Sequence, residues 1–188
     1  MKKTLLASVA AAALALTTLG ATAQMGDMKD PMVGGAAMYP SKTIVDNAVN
    51  SPIHTTLVTA VKAAGLVDTL NSPGPFTVLA PTNDAFAKLP AGTVETLVQP
   101  ENKATLTKIL TYHVVAGRIS ARDIAAGIKA GGGKYEMKTV EGGKLTATMS
   151  GKKIMLTDEK GGMATITTAN VFQSNGVIDV IDTVLMPS

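Results

Sequence analysis

Residue types that support most enzyme chemistry are scarce in this sequence. The 188 residues include two histidines, His54 and His113, and no cysteine. Without cysteine, thiol catalysis, disulfide exchange and thiolate metal sites are excluded. No Gly-x-Ser-x-Gly motif positions a serine for nucleophilic attack, and the glycines at 131–133 lack the Lys-Ser/Thr of a phosphate-binding loop. The sequence therefore predicts a protein that is not an enzyme.

The two histidines have different expected surroundings. His54 is expected on an exposed turn of an early helix, with no partner nearby in sequence. His113 follows Tyr112 where a helix is predicted to give way to a strand, so it could act as a base or a ligand. A histidine-based metal site normally recruits several strong donors, which favours a half-buried His113 hydrogen-bonded to backbone or to Tyr112. A hydrolase stays an alternative that requires a polar pocket around His113.

Methionines recur in a segment rich in glycine and proline, residues 24–40, which shows neither helical nor strand periodicity. We interpret this segment as a flexible tail. Thioether sulfur is a soft ligand that suits Cu(I), so Met25, Met28 and Met32 are candidate donors. A periplasmic carrier of Cu(I) or of a small ligand is therefore the alternative function. The favoured interpretation has no cofactor.

The first 23 residues have the pattern of a secretory signal peptide. A basic start, Met1 to Lys3, precedes an apolar run at 4–19, and Ala21-Thr22-Ala23 forms a small-residue cleavage site. Cleavage after Ala23 predicts a periplasmic or secreted protein with no transmembrane anchor in the mature chain. Fifteen of the 17 basic residues then remain against 14 acidic ones. This balance, without a concentrated basic patch, argues against nucleic acid as a partner.

The remaining residues, 41–188, are predicted to form one α+β domain. Residues 76–80 are apolar and β-branched, which predicts a buried strand, and Thr82 is placed to cap a short helix after it. Other apolar residues recur with helical spacing up to about residue 128. After the glycines at 131–133 the period changes to two, which predicts short strands joined by glycine turns.

Three motifs in this order carry a family resemblance. Phe-Thr-Val-Leu-Ala-Pro-Thr-Asn-Asp-Ala-Phe at 76–86 resembles the first signature box of the fasciclin (FAS1) domain family. Tyr112-His113 resembles its central pair, and Asn-Gly-Val-Ile-Asp-Val-Ile-Asp-Thr-Val-Leu-Met-Pro at 175–187 resembles its last box. The resemblance implies one domain of helices packed on a two-sheet β wedge, with both boxes adjacent in the core sheet. It also implies a non-catalytic adhesion or interaction module at a cell surface.

The resemblance singles out three residues. In animal members the Tyr-His region is implicated in adhesion, which makes Tyr112 and His113 candidates for partner contact. Asp179 stands where the family usually has histidine. Because a buried carboxylate is costly without a partner, we expect Asp179 to lie at a polar edge, to accept backbone N–H groups, or to pair with His113.

Lysines concentrate in the strand-rich part of the chain. Between residues 129 and 160 there are seven lysines and four acidic residues. The excess of positive charge could attract an anionic polysaccharide or an outer membrane surface, whereas lysines on exposed strands also serve solubility and edge protection. The candidate partners are a cell-surface or matrix protein or a polysaccharide, and the candidate contacts are Lys134, Lys138, Lys152 and Lys153.

Overall fold

A computed structural model describes residues 30–188, so the predicted signal peptide lies outside the described residues. Within this range the chain forms seven α-helices, one short 3-10 turn and nine strands. The helices are α1 (Ile44–Val49), α2 (Thr55–Ala64), α3 (Val67–Asn71), α4 (Asn83–Ala87), α5 (Thr93–Leu97), α6 (Lys103–Tyr112) and α7 (Ala121–Ala130). The strands are β1 (Met32–Val33), β2 (Ala36–Ala37), β3 (Phe76–Pro81), β4 (Val114–Ala116), β5 (Lys134–Lys138), β6 (Lys144–Ser150), β7 (Lys153–Thr157), β8 (Met163–Gln173) and β9 (Gly176–Ile181).

Three of the helices have a residue with a hydroxyl side chain as their N-cap. The Thr82 hydroxyl accepts a hydrogen bond from Ala85 N at 3.2 Å, as predicted, and Ser120 caps α7 in the same way. Such caps satisfy backbone N–H groups that have no partner inside the helix. For α1 the cap is Thr43, whose hydroxyl accepts a hydrogen bond from Asp46 N.

Seven strands form one sheet in the order β4-β3-β9-β8-β7-β6-β5. Strands β3 and β9 are parallel, and the other neighbours are antiparallel. A bridge between Val115 and Thr139 brings the two edges of the sheet together, so that it is nearly closed. The sheet bends within β8, whose first part pairs with β7 and whose last part pairs with β9. The predicted α+β class is confirmed.

The two sequence boxes lie side by side in the centre of this sheet. Their parallel register runs from Phe76 opposite Gly176 to Pro81 opposite Ile181. Gly74 and Gly176 are required here, because a Cβ atom on Gly74 would meet the carbonyl oxygen of Asn175 and one on Gly176 would meet that of Phe76. The predicted adjacency of the two boxes is therefore confirmed.

Asn175, in the turn between β8 and β9, connects this central pair to the helices. Its Oδ1 accepts from Ile44 N at 3.0 Å, and its Nδ2 donates to Leu70 O at 2.7 Å and Ser72 O at 3.0 Å. One buried amide thus satisfies a backbone group at the start of α1 and two at the end of α3.

The described residues bury two apolar clusters. In the helical half, defined as α1–α6 with β3, β4 and β9, one cluster fills the space between helices and sheet. In the strand half, defined as α7 with β5–β8, the second cluster lies between α7 and one face of the sheet. Leu79 and Ile181 of the central strands contribute to this second cluster, so the central pair contacts both.

The predicted flexible tail does not extend to residue 40. Strands β1 and β2 pair as a hairpin, and Val33 and Met38 are only 3% and 1% exposed. These side chains join the cluster of the helical half, and this burial gives the segment a fixed position. Residues 24–29 of the predicted tail lie outside the described residues. No helix within residues 30–188 has both the length and the apolar character needed to cross a membrane.

Candidate functional site

The outward surface of strands β5–β8 carries three of the predicted contact residues, Lys134, Lys138 and Lys153. The strand register places opposite side chains on the same side of the sheet, for example Lys134 beside Thr148, Thr148 beside Met155, and Met155 beside Thr165. We call this surface the open face; it comprises Lys134, Glu136, Lys138, Lys144, Thr146, Thr148, Ser150, Lys153, Met155, Thr157, Met163 and Thr165.

The open face is left uncovered by the described residues, because α7 lies on the other side of the sheet. Ile124 and Ile128 of α7 belong to the buried cluster that includes Leu145, Ala147 and Leu156 of the inward face. Along β6 and β7, buried and partly exposed residues accordingly alternate. The alternation that predicted these strands thus also separates the core face from the surface.

Positive charge on the open face is largely uncompensated. Lys144 pairs with Glu136 at 3.3 Å, and both side chains are well exposed. Among residues 30–188, Lys134, Lys138 and Lys153 have no ion-pair partner within 4.0 Å. Lys152 lies beside them in the exposed β6–β7 turn. The structure therefore gathers the four predicted lysines at one side of the strand half, where their fields add.

Hydroxyl groups and methionines occupy the space between the lysines. Thr146 stands opposite Thr157, and Thr148 lies next to it on the same strand. Hydroxyl groups both donate and accept hydrogen bonds. Met155 and Met163 add flexible thioether side chains that adapt to irregular surfaces, and Met163 is 58% exposed. The open face thus combines cations, hydrogen-bonding groups and adaptable apolar area.

Tyr112 is not part of any accessible surface. It is 0% exposed, and its hydroxyl donates to Lys144 O at 2.6 Å and accepts from Glu159 N at 3.2 Å. Burial, with a smaller effect of nearby carboxylates, raises the pKa of Tyr112 to about 12. The prediction that Tyr112 contacts a partner directly is wrong in this structure, because its side chain joins α6 to the backbone of the strand half.

His113 is also buried, at 2% exposure. Its Nδ1 lies 2.8 Å from Ile109 O, and its Nε2 accepts from Leu185 N at 3.0 Å, so Nδ1 carries the proton. Burial lowers the pKa of His113 to about 4. Neither ring nitrogen is available for a partner, a metal or a substrate. The prediction of partner contact by His113 is therefore wrong, whereas the expected bond to backbone is found.

Asp179 does not pair with His113, whose two nitrogens bind backbone. The carboxyl group is fully buried; its Oδ1 accepts from Asn170 N at 2.9 Å, and its Oδ2 has no hydrogen-bond partner among the described residues. Burial raises the pKa of Asp179 to about 6, against the smaller opposing effect of the Asn170 bond. The hypothesis of an Asp179–His113 pair is wrong, and the backbone-accepting alternative is the one observed.

His54 is buried, contrary to the prediction of an exposed turn. It precedes α2, its Nδ1 lies 2.8 Å from Ser51 Oγ, and its Nε2 is buried without a partner that meets hydrogen-bond geometry in the described part of the chain. Burial lowers the pKa of His54, and the nearby Ala80 backbone opposes that effect. The sequence feature that could have indicated this environment is Ser51, which lies three residues before His54 and supplies its polar partner.

Metal donors were predicted in the methionine-rich segment. Met25 and Met28 lie outside the described residues, and Met32 is 56% exposed on β1. From residue 30 onward, no group of three or more histidine or acidic side chains is arranged to hold a metal ion. The Cu(I) hypothesis stays a prediction that rests on Met25, Met28 and Met32.

Comparison with known proteins relates the chain to one family. The Fasciclin domain family matches residues 52–187. Protein sll1483 of Synechocystis is 46% identical over 175 residues, which cover 93% of this chain and 90% of that protein. Immunogenic protein MPB70 of Mycobacterium bovis is 35% identical over 168 residues, 89% of this chain and 75% of that protein. Cell surface glycolipoprotein MPB83 of the same species is 37% identical over 160 residues, 82% of this chain and 64% of that protein.

A solved structure agrees with the sequence comparisons. It is a FAS1 domain pair from the insect cell adhesion molecule Fasciclin I, which superimposes with a TM-score of 0.53 at 23% identity. The match covers 69% of this chain and 45% of the domain pair, so this chain spans less than half of that structure. This likeness supports the fold of the domain.

Proposed function

Because the chain belongs to the Fasciclin domain family, we propose that it is an exported, non-catalytic interaction module that binds an anionic polysaccharide of the cell surface through the open face. Three features support the proposal: the predicted signal peptide, a relative that is a cell surface glycolipoprotein, and the uncovered cationic surface of β5–β8. The observation that carries it is the concentration of three unpaired lysines on the open face, with Lys152 exposed in the adjoining β6–β7 turn.

An extended anionic chain suits the arrangement of these lysines. Lys134 and Lys138 are four residues apart on the same side of β5, a separation of about 13 Å along an extended strand. Lys153 lies across the sheet on β7. A polymer with regularly repeated carboxylate or sulfate groups can contact several such cations at once, whereas a small anion contacts one. Threonine hydroxyls between them can bind sugar hydroxyls.

The buried polar residues support a non-catalytic role. His113 has both nitrogens bonded to backbone, and its surroundings are apolar rather than a convergent polar pocket. His54 and Asp179 are likewise enclosed. A general base must reach the proton that it removes, and none of these three groups reaches the surface.

Binding of the purified protein to dextran sulfate and to alginate tests the proposal. The double variant Lys134→Glu/Lys138→Glu should weaken binding by about tenfold or more, because each surface contact contributes up to about 1 kcal/mol and charge reversal adds repulsion. The matched control Lys62→Glu/Lys103→Glu changes the net charge equally in the helical half and should have a much smaller effect. Equal losses in both variants would show that only net charge matters.

The alternative is a Cu(I) carrier that uses Met25, Met28 and Met32, and the exposure of Met32 is compatible with it. A Cu(I) titration of the protein and of the triple variant in which these methionines are replaced by leucine separates the two functions. Tight binding that the triple variant loses would favour the carrier. Polysaccharide binding should be the same in both proteins if the open face is the site.

A further inference from the structure

Charges of opposite sign alternate along strand β5 of the open face. Lys134, Glu136 and Lys138 project from the same side of this strand, and all three are exposed. Neighbouring members of the series are about 7 Å apart along an extended strand, and the two lysines are about 13 Å apart. A single negative charge therefore stands between two positive charges.

Strand β6 adds a third lysine at one end of this series. Lys144 is directly opposite Lys138 in the antiparallel register, an arrangement that is unfavourable for like charges. Lys144 Nζ lies 3.3 Å from the Oε2 atom of Glu136, the diagonal neighbour. Within residues 30–188, Lys138 has no ion-pair partner within 4.0 Å. Glu136 thus acts as the counterion of only one of the two opposed lysines.

The backbone of Lys144 is fixed, whereas its side chain is free to change partner. The Tyr112 hydroxyl donates to Lys144 O at 2.6 Å, and Glu159 Oε1 accepts from Lys144 N at 3.0 Å. The side chains of Lys144 and Glu136 are 69% and 63% exposed, and an ion pair exposed to this degree contributes little to stability. A ligand anion can therefore replace Glu136 at Lys144 without a large cost to the fold.

The row of side chains across the sheet at Glu136 offers hydrogen bonds rather than positive charge. Thr146 is opposite Glu136, and Thr157 is opposite Thr146. The carboxylate accepts hydrogen bonds, and the hydroxyl groups both donate and accept them. Lys134 and Lys138 lie on either side of this row. The open face therefore presents a central row suited to a neutral polar group, with a cation on each side.

We propose that Glu136 determines which anionic polysaccharides the open face binds and selects those with an anionic group on every second sugar, an inference that rests on the function proposed above. Such a polymer places its anionic groups at Lys134 and Lys138 and a neutral sugar at Glu136, whose carboxylate accepts from the sugar hydroxyl groups. A polymer with a charge on every sugar places a like charge beside Glu136. The resulting repulsion weakens its binding, because specificity also requires unfavourable contacts with the wrong ligand.

Calorimetric titration with two oligosaccharides of equal length tests this role. Hyaluronan carries a carboxylate on alternate sugars, and polygalacturonate carries one on every sugar, so the type of charge is the same in both. The wild-type protein should bind the hyaluronan oligosaccharide at least as tightly, although it carries fewer charges. Glu136→Gln should tighten binding of polygalacturonate about fivefold, as expected for removal of one exposed charge contact, and should change binding of hyaluronan less than about twofold.

Two further variants separate charge position from net charge. Glu101→Gln makes the same change in net charge at an exposed residue of the 3-10 turn before α6, and it should affect both oligosaccharides alike and by less than about twofold. Glu136→Asp keeps the negative charge and should keep the wild-type preference.

The double variant Lys134→Glu/Lys138→Glu distinguishes failure of this inference from failure of the proposed function. If this variant weakens binding of both oligosaccharides but Glu136→Gln tightens both by the same factor, the selective role of Glu136 is overturned and the open face stays the binding site. Tighter binding of polygalacturonate than of hyaluronan by the wild-type protein would also overturn that role. If the wild-type protein binds neither oligosaccharide, or the double variant binds both as the wild type does, the inference and the proposed function are overturned together.

Discussion

The two halves of the molecule differ in whether one or both faces of the sheet are covered. In the helical half, β3 and β9 are buried on both faces over nearly their whole length. In the strand half, β6 and β7 alternate between buried and partly exposed residues, because α7 covers only one side. A strand covered on both sides tolerates few changes, whereas the uncovered side of β5–β8 is free to carry a binding surface. The difference separates the residues that maintain the fold from those available for partners.

Removing the Asn175 side chain should have the largest effect on stability. Asn175→Ala leaves Ile44 N and the carbonyl groups of Leu70 and Ser72 without their partner in a buried site. A cost of about 3 kcal/mol is expected, since unsatisfied buried polar groups each cost about 1–3 kcal/mol. Urea unfolding followed by circular dichroism measures it. The control Asn50→Ala removes an exposed side-chain bond to Asp46 O and should cost less than about 0.5 kcal/mol.

The pH dependence of stability should reflect two buried groups, Asp179 and His113, whose pKa values are shifted in opposite directions. Asp179 has a folded-state pKa of about 6, above its ordinary 3.8, so its contribution to stability is present at low pH and decreases as pH rises from about 4 to 6. His113 has a folded-state pKa of about 4, below 6.5, so its contribution is present at neutral pH and decreases as pH falls from 6.5 to 4. The two slopes oppose each other, and His54, whose pKa is also lowered, acts in the direction of His113.

Asp179→Asn should therefore change how the free energy of unfolding depends on pH between 4 and 6.5. Without the opposing effect of Asp179, the free energy of unfolding should rise by about 3 kcal/mol from pH 4 to 6.5, as expected for a His113 pKa lowered from 6.5 to about 4. The wild-type protein should show a shallower profile over the same range. Urea unfolding at a series of pH values measures both. Parallel profiles for the two proteins would mean that Asp179 is ionised in the folded state as it is in the unfolded chain.

Filling the apolar hollow that lies between α1, α2, α3 and α6 and strands β3 and β4 should stabilise the helical half modestly. Val58→Ile adds one methylene group to the wall of a void of about 50 Å³, which should raise the free energy of unfolding by up to about 1 kcal/mol. Val49→Ile is a matched control, because Val49 lies on α1, is 50% exposed and does not line the hollow. Thermal unfolding compares them. A loss of stability in Val58→Ile with none in the control would show that the wall is already fully packed.

Substitution on the open face should have the smallest effect on stability. Thr148→Ala removes a partly exposed hydroxyl from the middle of β6 and should change the free energy of unfolding by less than about 0.5 kcal/mol. The neighbouring Ala147→Thr, on the buried face, should cost about 2 kcal/mol because it buries a hydroxyl group. A comparable cost at position 148 would indicate that the open face is covered in the intact protein.

Much of the fold follows from local sequence signals. The apolar run at 76–80, the cap at Thr82 and the change of period after residue 133 each predict an element that the structure contains. The glycine turns also predict the hairpins of β5–β8. These signals succeed because they act over a few residues, where backbone geometry and hydrogen bonding decide the outcome.

Burial of individual polar residues was harder to predict. Tyr112 and His113 were expected at a contact surface, but their partners, Lys144 O and Leu185 N, lie 32 and 72 residues away in sequence. The fixed position of the β1–β2 hairpin likewise depends on packing of Val33 and Met38 into the core. Such contacts depend on the tertiary arrangement of the whole domain, which the spacing of residues in these segments does not encode. The lysines were predicted correctly as exposed because charge alone keeps them in water.

Amide chemical shifts during a titration with dextran sulfate test the central assignment of the binding surface most directly. The account predicts that shifts concentrate in β5, β6 and β7, around Lys134, Lys138 and Lys153, and that α1–α3 show none. Shifts concentrated in the helical half, or spread evenly over both halves, would contradict it.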